Sequence, residues 1–238
     1  MSFQIPKGNQ KADYVQNKFT DISEKYDLFN DLFTLGMHRY WKGFLVKKTD
    51  LKSDDYALDI CCGTGDITDR IEKVVGSQGL AMGLDFSQGM LNIAKSRKQS
   101  ANKHFICASA SEIPYKNNSL HAVTVGFGLR NLVDIESCLK EVYRVLKPGG
   151  RFVCLDVGKV KIPIVKQLFQ FYFFRIVPII GRIIYPGEEF FSYFPESSVQ
   201  YPSQEKLAGL LEKTGFINVE YTNFYFGSTV IHYAQKKG

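Results

Sequence analysis

An α/β fold is predicted, with a mostly parallel seven-stranded sheet, helices on both faces and an antiparallel C-terminal strand. Three observations predict it. From residue 55 onward, short β-rich runs alternate with helical runs, the pattern of a parallel sheet wound by crossover helices. The first of these runs, "YALDI", breaks at once into Gly63, Thr64 and Gly65 with Asp66 behind them, a strand-to-helix turn of the kind that meets ligands. The last forty residues then carry one helix and two β-rich runs that reverse at Gly227.

The elements follow in order. "YALDI" (56–60) is the first strand and leads to a helix from about Asp66; "LAMGLD" (80–85) leads to a helix from Ser87; "KHFICA" (103–108) leads to a loop. "LHAVTVGFG" (120–128) precedes "DIESCLKEVYRVLKPGG" (134–150), where Leu139, Val142, Tyr143 and Leu146 recur at helical spacing and Gly149-Gly150 stop the helix. "RFVCLDV" (151–157) is the fifth strand. Ser203 is an N-cap, Leu207, Leu210 and Leu211 form a buried stripe, and Gly215 is the C-terminal stop. "FINVEYTNFYFGSTVIHYAQ" (216–235) supplies the final hairpin. Right-handed crossovers join the parallel strands.

With 238 residues, 45% hydrophobic and 14% aromatic, the chain is long enough for one sizeable core, so a single domain over 1–238 is expected. Within it, a helical cap (10–49) precedes the ligand-binding core (50–157). An apolar insertion (158–200) and a C-terminal helix with two strands (201–238) follow. The net charge is +6 with the basic residues scattered, so no nucleic-acid partner is predicted. The five cysteines are odd in number and without a C-x-x-C pair, which points to reduced core residues of a cytoplasmic protein. The four histidines have no ligand spacing, and no metal site is expected. The stretch "MSFQIPKGNQKADYVQNKF" shows neither a secretory leader nor a transit peptide.

The turn after the first strand narrows the ligand. Gly63 and Gly65 let the backbone turn tightly and approach a ligand closely. Asp85, twenty positions after Gly65 at the end of the second strand, is placed to accept hydrogen bonds from ribose hydroxyls. A nucleoside is implied. A dinucleotide motif needs a third glycine where Thr68 stands, and a phosphate loop needs a lysine where the chain has Asp66. A carboxylate at that helix start competes with phosphate, so a cationic nucleoside such as S-adenosyl-L-methionine fits better.

Four stretches carry a family resemblance: "YDLFNDLFTLGMHRYWK" (26–42), "LDICCGTGDIT" (58–68), "FGLRN" (127–131) and "YRVLKPGGRF" (143–152). Through them the sequence resembles class I S-adenosylmethionine-dependent methyltransferases, which have a Rossmann-like fold. Within these it resembles the ubiquinone/menaquinone biosynthesis C-methyltransferases, whose bacterial members methylate demethylmenaquinol. The glycine motif and "LKPGG" are widespread among methyltransferases; the first stretch and "FGLRN" are much more specific. The chain departs from the family where Glu-x-Ser usually follows the fifth strand, having Asp156 and Gly158 there. Phe29 and Thr34 stand where Met and Ser are usual, and 159–200 matches loosely.

The resemblance implies that Gly63, Thr64 and Gly65 hold the methionine part of the cofactor, Asp85 the ribose and Ser109-Ala110 the adenine edge, with Gly126 under the sulfonium. It implies a prenylated quinol substrate, naphthoquinol or benzoquinol, whose ring carbon is methylated. Arg130 and Asn131 then stabilise the phenolate or orient a water as base. Tyr26, His38 and Trp41 of the cap are candidates to close over the quinol, His38 having a pKa suited to proton transfer and Trp41 being better explained by packing. His104, His121 and His232 are expected to be structural, with His232 close enough to the last strand to face the site. Two other readings stay open: an O- or N-methyltransferase of another small apolar molecule, and a non-catalytic cofactor-binding scaffold subunit. A homo-oligomer is compatible with the sequence. The apolar run Ile162–Pro186 is interrupted by Lys166, Arg175 and Arg182, and Pro178 is expected to break any helix, so no membrane crossing is expected. A lid that also contacts an anionic membrane surface peripherally, on the inner face, is the expectation instead.

Overall fold

The computed structural model describes residues 8–97, 100–185 and 190–238. The first described helices are α1 (Asn9–Ile22), α2 (Tyr26–Thr34) and α3 (Met37–Lys48), which form a helical cap. There follow β1 (Tyr56–Ile60), α4 (Asp66–Val75), β2 (Leu80–Asp85), α5 (Gln88–Ser96), β3 (Lys103–Cys107), β4 (Leu120–Gly126), α6 (Ile135–Val145) and β5 (Leu146–Val157). The insertion holds α7 (Pro163–Phe171), α8 (Val177–Ile184) and α9 (Phe190–Gln200). The chain ends with α10 (Gln204–Thr214), β6 (Phe216–Phe224) and β7 (Thr229–Lys236).

The seven strands form one sheet in the order β3-β2-β1-β4-β5-β7-β6. The first five run parallel and β7 alone is reversed, pairing antiparallel with β5 on one side and β6 on the other. Because β1 has β2 on one side and β4 on the other, the strand order switches there, and a crevice opens at the carboxyl ends of β1 and β4. One buried cluster, including Leu58, Leu84, Leu139, Phe152 and Leu211, packs α6 and α10 on one face of the sheet. A second, including Leu45, Ala57, Ile71, Val153 and Ile231, packs α3 and α4 on the other. Trp41 belongs to the second, with its ring 5.7 Å from that of Tyr225, so it is the packing residue its sequence context implied.

Local signals explain most boundaries. Ser87 Oγ accepts from Met90 N at the start of α5, Asp134 Oδ1 accepts from Ser137 N at 3.0 Å at the start of α6, and Gly215 ends α10 in the left-handed region. The sixth helix stops earlier than its apolar spacing implied. Pro148 disfavours helical geometry at Lys147, and Leu146 already pairs with Leu120 across the sheet. Lys236 Nζ takes the carbonyl of Tyr143 at 2.7 Å, which satisfies an acceptor that the shortened helix leaves over.

The insertion departs most from expectation. Pro178 does not break the helix: Pro163–Ile184 is continuous, because a π turn at Tyr172–Ile176 widens the backbone just ahead of the proline and relieves its clash with the preceding turn. This 22-residue helix is long and apolar enough to cross a membrane by length and composition, with Lys166, Arg175 and Arg182 interrupting its apolar sequence as expected. Its inner side, with Phe173, Val177 and Ile184, packs against Val15, Ile22 and Phe29 of the cap. The outer side exposes Ile164, Leu168, Phe171, Ile179 and Ile183. Pro186, the end of the apolar run, lies outside the described residues. All five cysteines are free thiols; Cys138 and Cys154 are buried, but Cys107 is exposed on the edge strand β3 and is no core residue.

Candidate active site

A cavity of about 270 Å³ opens at the carboxyl ends of β1, β2 and β4. Of the residues singled out in the sequence, Tyr26, Gly63, Asp85, Ser109, Ala110, Gly126 and Asn131 line it. Asp85 is 5% exposed and accepts hydrogen bonds from Gly63 N and Ser87 N, each at 2.9 Å. Burial pushes its carboxyl up to about 6 against the pull of those backbone donors. Gly65 sits at φ 85°, where a Cβ would also meet the Phe105 ring at 3.0 Å, and a Cβ on Gly126 would strike Ile67 at 2.4 Å. The turn therefore requires Gly65, and the end of β4 requires Gly126, on steric grounds.

The far end of the cavity is apolar, with Leu84, Phe86 and Met90 around Ala110. Its roof is α1, which contributes Ala12 and Phe19. This helix is fastened at both sides: Lys11 Nζ donates to Leu132 O at 2.7 Å, Gln16 Nε2 donates to Phe86 O at 2.9 Å, and Thr20 and Ser87 share a hydroxyl bond of 2.9 Å. From sequence, the cap is expected to meet the substrate alone. Its cofactor-side role carried no motif, only a polar spacing of Lys11, Gln16 and Thr20 on one helix.

A smaller cavity of about 30 Å³ shares Tyr26, Cys61, Gly63, Gly126 and Phe127 with the first and adds Thr64, Asn30, Lys42, Asp59 and Asp66. Gly65 is in neither lining and acts through the turn alone. Asp66 accepts from Lys42 Nζ and Arg70 Nε, both at 3.0 Å. Burial resists its ionisation, but the two cations win and hold its carboxyl at about 2. The first helical turn is thus not simply acidic, as the sequence implied; it offers both signs of charge. That combination suits the ammonium and carboxylate of an amino acid better than a pyrophosphate.

The catalytic candidates separate into two groups. Arg130, Asn131 and Tyr26 come together, although only Tyr26 and Asn131 line the first cavity and Arg130 lines neither of the two. Arg130 is 6% exposed, and its Nη1 donates to Asp156 Oδ1 at 2.7 Å and to Phe127 O at 2.8 Å, while its Nε is buried without a partner. Burial works against the guanidinium charge, but Asp156 outweighs it and keeps its pKa above the ordinary value, so Arg130 stays a cation. Burial likewise raises the Tyr26 phenol, with Arg130 acting the other way. Asn131 Nδ2 lies 3.4 Å from Phe127 O. Asp156, at the end of β5, was noticed in the sequence only as a departure from the family pattern.

His38 falls outside this group. It is 3% exposed, lines neither cavity, and binds Asp31 through Nε2 at 2.8 Å. Its ring ties α3 to α2. His232 is also turned away from the site, its Nε2 on Gln204 O at 3.0 Å, and His121 Nδ1 accepts from Tyr56 N at 2.9 Å. Among the described residues no cluster of His, Cys, Asp or Glu is arranged to hold a metal.

S-adenosylmethionine fits this arrangement: an apolar slot for a flat ring, a buried carboxylate at its middle and a pocket of both charges at its end. The model of the ubiE/COQ5 methyltransferase family matches residues 7–236. A demethylmenaquinone methyltransferase of Leptospira interrogans is 46% identical over 98% of this chain and 97% of its own. One from Staphylococcus haemolyticus is 36% identical over 98% of both chains. Among solved structures, a SAM-dependent methyltransferase from Aquifex aeolicus superposes with a TM-score of 0.62 at 20% identity, covering 84% of this chain and 91% of that one, which is likeness of fold. The chain belongs to the ubiE/COQ5 methyltransferase family and is an S-adenosylmethionine-dependent methyltransferase.

Proposed function

We propose that this enzyme methylates a ring carbon of a prenylated quinol, of the kind the names of its relatives indicate, demethylmenaquinol. The observation that carries the reading is buried Arg130 beside half-buried Asn131 just after β4, among aromatic side chains, with Asn131 in the lining of the cofactor cavity. When bound, S-adenosylmethionine supplies an electrophilic methyl group on a sulfonium. The protein's task is to make the ring carbon nucleophilic and to aim it. A hydroquinone becomes a carbon nucleophile when a hydroxyl loses its proton, and a permanent cation in a water-poor site favours that ionisation. Arg130 is such a cation, held in place by its buried ion pair with Asp156. Arg130 is no base, because Asp156 keeps it protonated; the hydroxyl proton and, after transfer, the ring proton pass to water. Tyr26 and Phe127 supply flat walls against which a ring can lie.

The test is incubation with methyl-labelled S-adenosylmethionine and a reduced demethylmenaquinone, with mass analysis of the product. One methyl group on ring carbon is expected. Label on oxygen, or binding without turnover, would replace this reading by the O-methyltransferase or the scaffold. A parallel arm with a benzoquinol precursor asks whether the site accepts the single-ring substrate.

The outer face of α7 and α8 fits peripheral contact with the membrane from which such a substrate is drawn. Ile164, Leu168, Phe171 and Ile183 are exposed there beside Lys166, Arg175 and Arg182, and Leu28, Leu32 and Leu35 of the cap are exposed as well. An apolar stripe with flanking cations lies in a lipid interface, and each cation near an anionic surface adds about 1 kcal/mol.

A further inference from the structure

Two consecutive residues of α9 meet the two consecutive polar residues that follow β4. Tyr193 Oη donates to Asn131 Oδ1 at 3.2 Å, and the Phe194 ring lies 5.3 Å from the Arg130 guanidinium carbon. Tyr193 is fully buried, with its ring 5.7 Å from that of Tyr14 on α1. The far end of α9 is clamped by Lys159, whose Nζ donates to Ser198 O at 2.6 Å and Val199 O at 2.9 Å. The apolar insertion is thus tied directly to the site through α9.

The chemistry of these groups fixes an orientation. An asparagine amide has one accepting end and one donating end. Phe127 O can only accept, so the NH₂ of Asn131 belongs on its side, and the amide oxygen belongs on the side of Tyr193. Burial drives the Tyr193 pKa far above the ordinary phenol, with Arg130 opposing, so Oη remains a donor at any working pH. Asn131 lines the cavity while Tyr193 does not.

We propose that Tyr193 is a positioning residue that locks the Asn131 amide with its NH₂ available to an ionised substrate oxygen, so that Asn131 and Arg130 present donors only. This inference rests on the quinol reading above. Without the phenol, only the 3.4 Å contact with Phe127 O opposes a turn of the amide, so its oxygen is offered to the site more often, which repels a quinolate and favours the neutral quinol. Tyr193 acts through Asn131 and touches neither substrate nor cofactor.

A double-mutant cycle of Tyr193→Phe and Asn131→Ala tests it, read as kcat with a reduced acceptor quinone across pH, with cofactor affinity and melting temperature measured alongside. Tyr193→Phe is expected to lower kcat about tenfold, to leave cofactor Kd within about twofold and to move the rise of kcat with pH to higher pH. In the Asn131→Ala background the same change is expected to have no further effect. Equal losses in both backgrounds, or an unmoved pH profile, would overturn the proposal. A side-chain amide NMR measurement keeps the two readings apart: the Asn131 NH₂ protons are expected to exchange about tenfold faster in Tyr193→Phe, whatever the acceptor. Unchanged exchange overturns the lock, whereas altered exchange in an enzyme that methylates no quinol overturns only the substrate.

Discussion

Cofactor affinity is predicted to fall in acid through Asp85. Its carboxyl is buried, is pushed up to about 6 and has no ion pair among the described residues; its oxygens hold the N–H groups of Gly63 and Ser87, and Asp85 lines the cavity. Two ribose hydroxyls need an ionised acceptor there, since a protonated carboxyl has to spend an oxygen as a donor. The ionised fraction is about nine-tenths at pH 7 and about one-tenth at pH 5, and apparent Kd scales inversely with the competent fraction. Kd is therefore expected to rise about tenfold between pH 7 and pH 5, equivalent to about 1.4 kcal/mol. Asp85→Asn keeps the shape but loses the charge-assisted bonds, worth roughly 1.5–3 kcal/mol, so its affinity at pH 7 should be about tenfold to a hundredfold weaker and far flatter with pH. Titration calorimetry at pH 5, 6, 7 and 8 at constant ionic strength measures both. Equal Kd at pH 5 and 7 in the wild-type protein, or an unaltered slope in the variant, would refute the assignment of Asp85 to the ribose.

The remaining predictions concern stability, turnover and lipid. Asp59, 1% exposed on β1 and accepting the hydroxyls of Thr124 (2.8 Å) and Thr68 (3.1 Å), is raised by burial to about 7. The folded state therefore binds this proton more tightly than the unfolded chain, and the associated stability is full below the ordinary carboxylate range and is lost as pH rises through about 7. Asp59→Asn removes the cost of a buried charge and should stabilise the protein at pH 8 by on the order of 2–4 kcal/mol while changing little at pH 4; a melting temperature that drops equally at both would count against it. Arg130→Ala should reduce turnover with a saturating reduced quinone by about 10²–10³ with cofactor affinity nearly unchanged, and near-normal kcat would shift the electrostatic role elsewhere. The protein should co-float with anionic vesicles at low salt and be released at high salt, and Leu168→Ser with Phe171→Ser should abolish flotation; indifference to vesicles at every salt concentration removes the membrane contact.

What was legible in the sequence was whatever depends on neighbours along the chain. Ser87, Asp134 and Gly215 mark helix ends by bonds made within one turn, and Gly63, Gly65 and Asp85 mark a ligand turn because the spacing of strand, turn and strand brings them together in any doubly wound sheet. His38 misled because its residue type fits proton transfer, whereas its role is set by Asp31, seven residues back, which the helix-turn-helix geometry of α2 and α3 turns toward it. Pro178 misled for a related reason. A proline's clash is a local certainty, but whether a helix breaks or widens depends on what its flank packs against, and Phe173 and Val177 on the core of the cap hold Pro163–Ile184 together across the π turn.

The same distinction explains why the insertion matched no motif and yet reaches the site. Substrate rings are held by contacts between segments distant in sequence: Tyr193 and Asn131 are 62 residues apart, Arg130 and Asp156 are 26 apart, and Lys11 and Leu132 are 121 apart. Each of those pairs joins the loop after β4 to a different element, so that loop is where the cap, the sheet and the insertion are fastened to one another. Its side chains consequently have little freedom of their own. A donor pair that must be ready before the substrate oxygen ionises gains from such fixation, because reorganisation at the moment of reaction would cost part of the stabilisation it provides. Loosening the insertion should therefore be felt first in turnover and only later in cofactor binding, since Asp85, Gly63 and Ala110 belong to the other strands and touch none of these ties.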